Sequence, residues 1–130
     1  MPDRLNTVGA ITMLVADRAR AKEFYKRVFD ADVRYEDEAS VVFGFGELMI
    51  NLLVEPAAVP LLAPAQPGSA DAGPRVQLTI EVADTDAVCA RLAAAGVELL
   101  NGPQDRPWGI RTAAFLDPDG HVWEVAAPLA

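Results

Sequence analysis

Two stretches of the chain alternate apolar and polar residues and end in the same triplet. Ile11-Thr-Met-Leu-Val-Ala-Asp17 parallels Leu78-Thr-Ile-Glu-Val-Ala-Asp84, with Val-Ala-Asp shared. Alternation predicts a strand in each. The closing aspartate is placed to cap a following helix by accepting backbone N–H bonds. The first helix carries Ala21, Phe24, Tyr25 and Val28 at i, i+3, i+4, i+7. The second carries Val88, Leu92 and Ala95, with Cys89 beside the stripe and Gly96 as a stop. Short strands are expected at 33–36, 41–45 and 48–54 after the first helix, and at 97–100, 110–116 and 121–126 after the second. Asp117-Pro-Asp-Gly120 reads as a turn between the last two, since proline sets φ, aspartate bonds local backbone and glycine accepts positive φ. The pattern is β-α-β-β-β, twice.

Strand parity separates the faces. In 76–82, Val76, Leu78, Ile80 and Val82 share an apolar side that belongs under a helix, while Gln77, Thr79 and Glu81 face the other way. The matched first strand puts Ala10, Thr12 and Leu14 on the corresponding helix-free face. Strand 48–54 adds Met49, Asn51 and Leu53 to it. In the last strand Val122, Glu124 and Ala126 share that face, and His121, Trp123 and Val125 oppose it. Of these, Gln77, Thr79 and Glu124 are expected at the hollow, with Glu124 as its lone carboxylate.

Residues 55–74, EPAAVPLLAPAQPGSADAGP, hold half of the ten prolines and divide the repeats. Proline removes backbone donors and fixes φ, so this stretch is expected to join neither a sheet interior nor a helix. It reads as a surface connector, or as a lid. At 130 residues the chain is expected to form one domain, 1–130, with module one at 7–54, the linker at 55–74 and module two at 75–128. Its 52% hydrophobic and 23% charged residues are those of a folded chain.

A net charge of −8, from 11 basic and 19 acidic residues, disfavours a nucleic-acid partner and favours a cationic ligand at long range. No apolar run reaches the roughly 18 residues of a membrane span. Residues 8–16 could pass for a signal-peptide core by length, but Asp3 cancels Arg4 and the charged leader is missing. A single cysteine excludes an internal disulfide and suggests a reducing, cytoplasmic setting.

Val15-Ala-Asp17 followed by Phe24-Tyr25, and Pro107-Trp-Gly-Ile-Arg111 followed by Asp117-Pro-Asp-Gly-His-Val-Trp-Glu124, resemble the vicinal oxygen chelate superfamily. That superfamily includes glyoxalase I, bleomycin-resistance proteins and extradiol dioxygenases. The resemblance spans nearly the whole chain outside the linker and is more specific in the second half. It implies an α+β fold of two βαβββ modules whose sheets curl into an open barrel, a small-molecule cleft on the concave side, and a homodimer. Metal-dependent members place His, Gln or Glu ligands where this chain has Ala10, Asn51, Gln77 and Glu124. Alanine ligates nothing, Asn51 and Gln77 are weak neutral donors, and Glu124 alone fits.

A catalytic divalent ion normally takes three protein ligands of imidazole or carboxylate character. His121, the one histidine, lies on the opposite face from Glu124 by parity, so no metal cofactor is expected. The remaining cleft pairs apolar walls with polar groups, the composition of a small-molecule site. Its expected ligand-binding residues are Thr12, Met49, Asn51, Gln77, Thr79, Trp108, Arg111 and Glu124. The resemblance places Trp108 and Arg111 near the mouth. Alternatively Trp108 caps the core, Arg111 pairs with Asp117 or Asp119, and Asn51, Gln77 and Glu124 satisfy one another.

The expected function is metal-free sequestration of an aromatic or amphipathic compound, as in bleomycin-resistance proteins, with no catalytic residue. The alternative is a metal-dependent glyoxalase-like lyase or isomerase, or a dioxygenase, with Gln77 and Glu124 as ligands or Glu124 as base. No Gly-x-Ser-x-Gly elbow or phosphate loop is present.

Overall fold

Both repeats fold as the alternation predicts. The structure is a computed structural model that describes residues 3–129. Module one runs β1 (Ala10–Val15), α1 (Arg18–Phe29), β2 (Asp32–Glu36), β3 (Ser40–Phe45) and β4 (Leu48–Val54). Module two runs β5 (Gln77–Glu81), α3 (Thr85–Ala94), β6 (Leu99–Asp105), β7 (Ile110–Leu116) and β8 (Val122–Pro128). Each is a four-stranded mixed sheet with one parallel pair, in the orders β1-β4-β3-β2 and β5-β8-β7-β6. The fold is α+β, a tandem pair of βαβββ units. The chain divides into two compact units between Gly68 and Ser69.

The caps are the expected aspartates. Asp17 accepts the Arg20 N–H at 3.0 Å, and Asp84 the Ala87 N–H at 3.1 Å. Each holds an extended backbone just before its helix, satisfying an otherwise orphaned donor. Under α1, Met13, Val15, Val41, Phe43, Ile50 and Leu52 are buried, and Tyr25 stacks on Phe43 with ring centroids 5.8 Å apart. Under α3 the buried set is Leu92, Ala113, Phe115, Trp123, Val125 and Ala127. Parity placed Trp123 and Val125 on this side correctly; of the four residues it placed there from 76–82, Leu78, Ile80 and Val82 are only half-buried, and Val76 lies before the strand and is 70% exposed.

The linker departs from expectation. Its first part forms helix α2 (Glu55–Leu62), and Ala70–Ala72 make a 3-10 turn. Proline does not prevent this because Pro56 sits in the first turn, where an N–H has no intrahelical acceptor. Pro60 forfeits one internal bond, while burial of Ala58 holds the helix to the unit. The helix stops at Ala63, extended as the residue before Pro64 must be.

Strand β6 also runs further than residues 97–100. Asn101-Gly-Pro103 looks like a turn, yet β6 pairs with β7 through two register shifts around it. Gly102 adopts φ +88°, which permits the bulge. Pro103 is tolerated because β6 is the last strand in its sheet order.

Candidate functional site

In each module the first strand lies parallel beside the last, which sets matching residues side by side. Thr12 registers with Asn51, and Thr79 with Glu124. Asn51 Nδ2 donates to Thr12 Oγ1 at 3.3 Å; Thr79 Oγ1 donates to Glu124 Oε1 at 2.9 Å. The internal repeat thus presents one constellation twice, neutral in module one and acidic in module two. Both pairs lie on the sheet face turned away from the capped helix.

Around Asn51 that face carries Ala10, Leu14, Met49, Leu53 and, from β3, Val42. Met49 is 43% exposed. Asn51 Oδ1 is buried and has no hydrogen-bond partner among the described residues. A buried acceptor left unmade costs about 1–3 kcal/mol, so a ligand N–H or O–H would be worth that much here.

One feature of this face escaped the sequence reading. The β2 bulge between Val33 and Tyr35 lays the Arg34 side chain across Gly44, where any Cβ would collide with the guanidinium. Arg34 forms no ion pair among the described residues. A bulge moves one residue out of alternation, so parity could not place this cation.

In module two, Gln77, Thr79 and Glu81 share the face with Val122, Glu124 and Ala126. Glu124 is therefore not the lone carboxylate. Glu81 lies one register step along the neighbouring strand, a consequence of the same alternation. Gln77 registers with Val122, diagonal to Glu124, and among the described residues it is not hydrogen-bonded to Glu124. Val122, Ala114 and Ala126 form a buried apolar floor.

Arg111 lies on the other side, toward α3. Its guanidinium bonds Asp86 at 3.1–3.3 Å and Asp105 at 2.9 Å, in place of Asp117 or Asp119. These bonds, Asp86 first, raise its pKa further. Thr85 Oγ1 donates to the Arg111 carbonyl at 2.6 Å, so the residue ties α3 to β7. Trp108 is 66% exposed and does not cap the core; the Arg106 guanidinium lies over its ring at 5.8 Å. Arg106 Nε donates to the buried Thr112 Oγ1 at 2.9 Å. Thr112 registers with Ala126, so Arg106 reaches the Glu124 face from the loop after β6. Loop residues carry no periodicity, and the sequence offered no signal for it.

His121 stays in the turn. Its Nδ1 lies 2.8 Å from Asp117 Oδ2, and Asp117 Oδ1 accepts the Asp119 and His121 N–H groups. The bond to Asp117 raises the imidazole pKa, against the opposing effect of burial. Cys89 is raised by burial first and then by Asp86, which keeps it a thiol rather than a nucleophile.

The donors fit a divalent ion poorly. Among the described residues no group of three or more His, Cys, Asp or Glu side chains is arranged to hold one.

The comparisons with known proteins agree with this architecture. Residues 7–125 match the Glyoxalase/Bleomycin resistance protein/Dioxygenase superfamily, and the chain belongs to that family. A glyoxalase/bleomycin resistance protein/dioxygenase from Nocardioides is 25% identical, with TM-score 0.81 over 99% of this chain and 87% of its own. A glyoxalase-related enzyme from Fulvimarina pelagi shares the fold at 22% identity and TM-score 0.82, over 95% and 88% of the two chains. A lactoylglutathione lyase from Agrobacterium tumefaciens does so at 19% identity and TM-score 0.78, over 96% of each. No helix among the described residues is long and apolar enough to cross a membrane.

Proposed function

We propose that the protein is a binding protein of the bleomycin-resistance type, taking up an aromatic or amphipathic small molecule without metal and without catalysing a reaction. The observation that carries this is the buried, unpartnered Asn51 Oδ1 on a face otherwise made of Leu14, Met49 and Leu53. Apolar burial supplies affinity there, and the amide fixes orientation. Thr79 and Glu124 repeat the arrangement above the floor of Val122, Ala114 and Ala126. Thr12, Met49, Asn51, Gln77, Thr79, Trp108 and Glu124 are the proposed contacts; Arg111 acts by anchoring α3. A cytoplasmic homodimer serving antibiotic resistance completes the proposal.

Thermal-shift titration against a panel of aromatic and amphipathic compounds tests it. A true ligand at 100 times its Kd stabilises by about 2.7 kcal/mol, a shift of several degrees. Silence across the panel overturns the proposal.

The second reading, a metal-assisted lyase, isomerase or dioxygenase, draws on Glu81 standing with Glu124 and Gln77 on one face. One tightly bound transition metal per chain after purification without chelator would favour it.

A further inference from the structure

We propose that Arg106 forms an anion subsite on the Glu124 face of module two, and that the molecule bound there carries a carboxylate. This rests on the small-molecule reading above and specifies its ligand. Arg18, Arg27 and Arg111 each pair with a carboxylate. Arg106 is half-buried and held by neutral groups: its Nε–H is spent on the buried Thr112 hydroxyl at 2.9 Å, and its guanidinium carbon lies over the Trp108 ring, 5.8 Å from the centroid.

The hydroxyl and the ring fix the orientation of the guanidinium without neutralising it. The two Nη groups remain as a planar fork with no ion-pair partner among the described residues. Such a fork matches the two oxygens of a carboxylate.

The surroundings narrow the class. Thr112 registers with Ala126, and Ala126 with Glu81, so Glu81 lies in the row that Arg106 reaches, with Glu124 one diagonal step away. Neither carboxylate forms an ion pair with Arg106. Both repel a second negative charge on the ligand and accept from a hydroxyl or amine on it. A monoanionic acid with a flat apolar body and a neighbouring donor satisfies every group. The net charge of −8 points toward a cation, but it is a sum over the surface and falls off within a Debye length; the fixed guanidinium governs at contact.

The test is calorimetric titration of the intact protein with 1-naphthoate and with 1-naphthamide, which share one aromatic body and differ in charge. The acid is expected to bind at least tenfold tighter than the amide. In Arg106→Gln the ratio should fall below twofold, and Arg106→Lys, which keeps the charge and loses the fork, should lie between and serves if the first variant does not fold. Equal affinities in the unsubstituted protein, or an unchanged preference in both variants, overturn the subsite while leaving the binding face intact. Absence of binding by both compounds overturns the binding face and the subsite together.

Discussion

His121 and Asp117 show how a single pair links charge to the fold. Asp117 is buried and uses both oxygens, closing the Asp117–Gly120 turn and holding the imidazole. That hydrogen bond lifts the histidine above its ordinary 6.5. A group raised on folding stabilises the native state in full below its unfolded value, and loses that contribution as pH climbs through the native one. The urea midpoint is therefore expected to fall from pH 6 upward through the raised pKa, and His121→Gln should flatten this slope. Asn51 carries the opposite lesson. Its buried acceptor has no partner, so Asn51→Leu is expected to leave stability unchanged or raise it by up to about 1 kcal/mol, while weakening any ligand found by thermal shift. A loss of stability together with unchanged binding would show that the amide serves the fold.

Elements are secured by a few backbone-directed contacts. Thr85, 2% exposed, donates to the Arg111 carbonyl, so Thr85→Val removes the bond that seats α3 and should cost about 1–2 kcal/mol in denaturant unfolding. Gly102 sits at φ +88° with the Thr112 carbonyl oxygen 2.5 Å and the Ala113 Cα 2.7 Å from where a Cβ would lie. Gly102→Ala is strained twice over, and a loss of more than about 2 kcal/mol is expected from the same measurement. The bulges in β2 and β6 have a further consequence. They release Arg34 from alternation and carry the chain on to Arg106, which is how two cations reach faces that a strict period of two leaves to Thr12, Asn51, Thr79 and Glu124.

At the scale of the molecule, two copies of one βαβββ unit carry the same hydrogen-bonded pair with different charge. A metal-free binding role predicts that chelator leaves both melting temperature and ligand affinity unchanged; a fall in either that added zinc, nickel, manganese or iron reverses would favour the enzyme reading. The repeat, both caps, the Asp117–Gly120 turn and the inward and outward residues of β1, β4, β5 and β8 were legible in the chain. They depend on periods of 2 and 3.6 and on local turn and capping chemistry, all of which act within a few residues. Helix α2, the extension of β6, the partners of Arg111 and the positions of Arg34 and Arg106 were not legible. Each depends on a surface supplied from elsewhere in the chain: a buried site for Ala58, a β7 edge that keeps pairing past Gly102, an Asp86 brought across by α3, and a Thr112 hydroxyl facing a loop. Sequence by itself determined which residues could share a face, because alternation is local. Tertiary structure alone decided which charges were paired and which were left without an ion-pair partner, because pairing depends on distances between segments far apart in sequence.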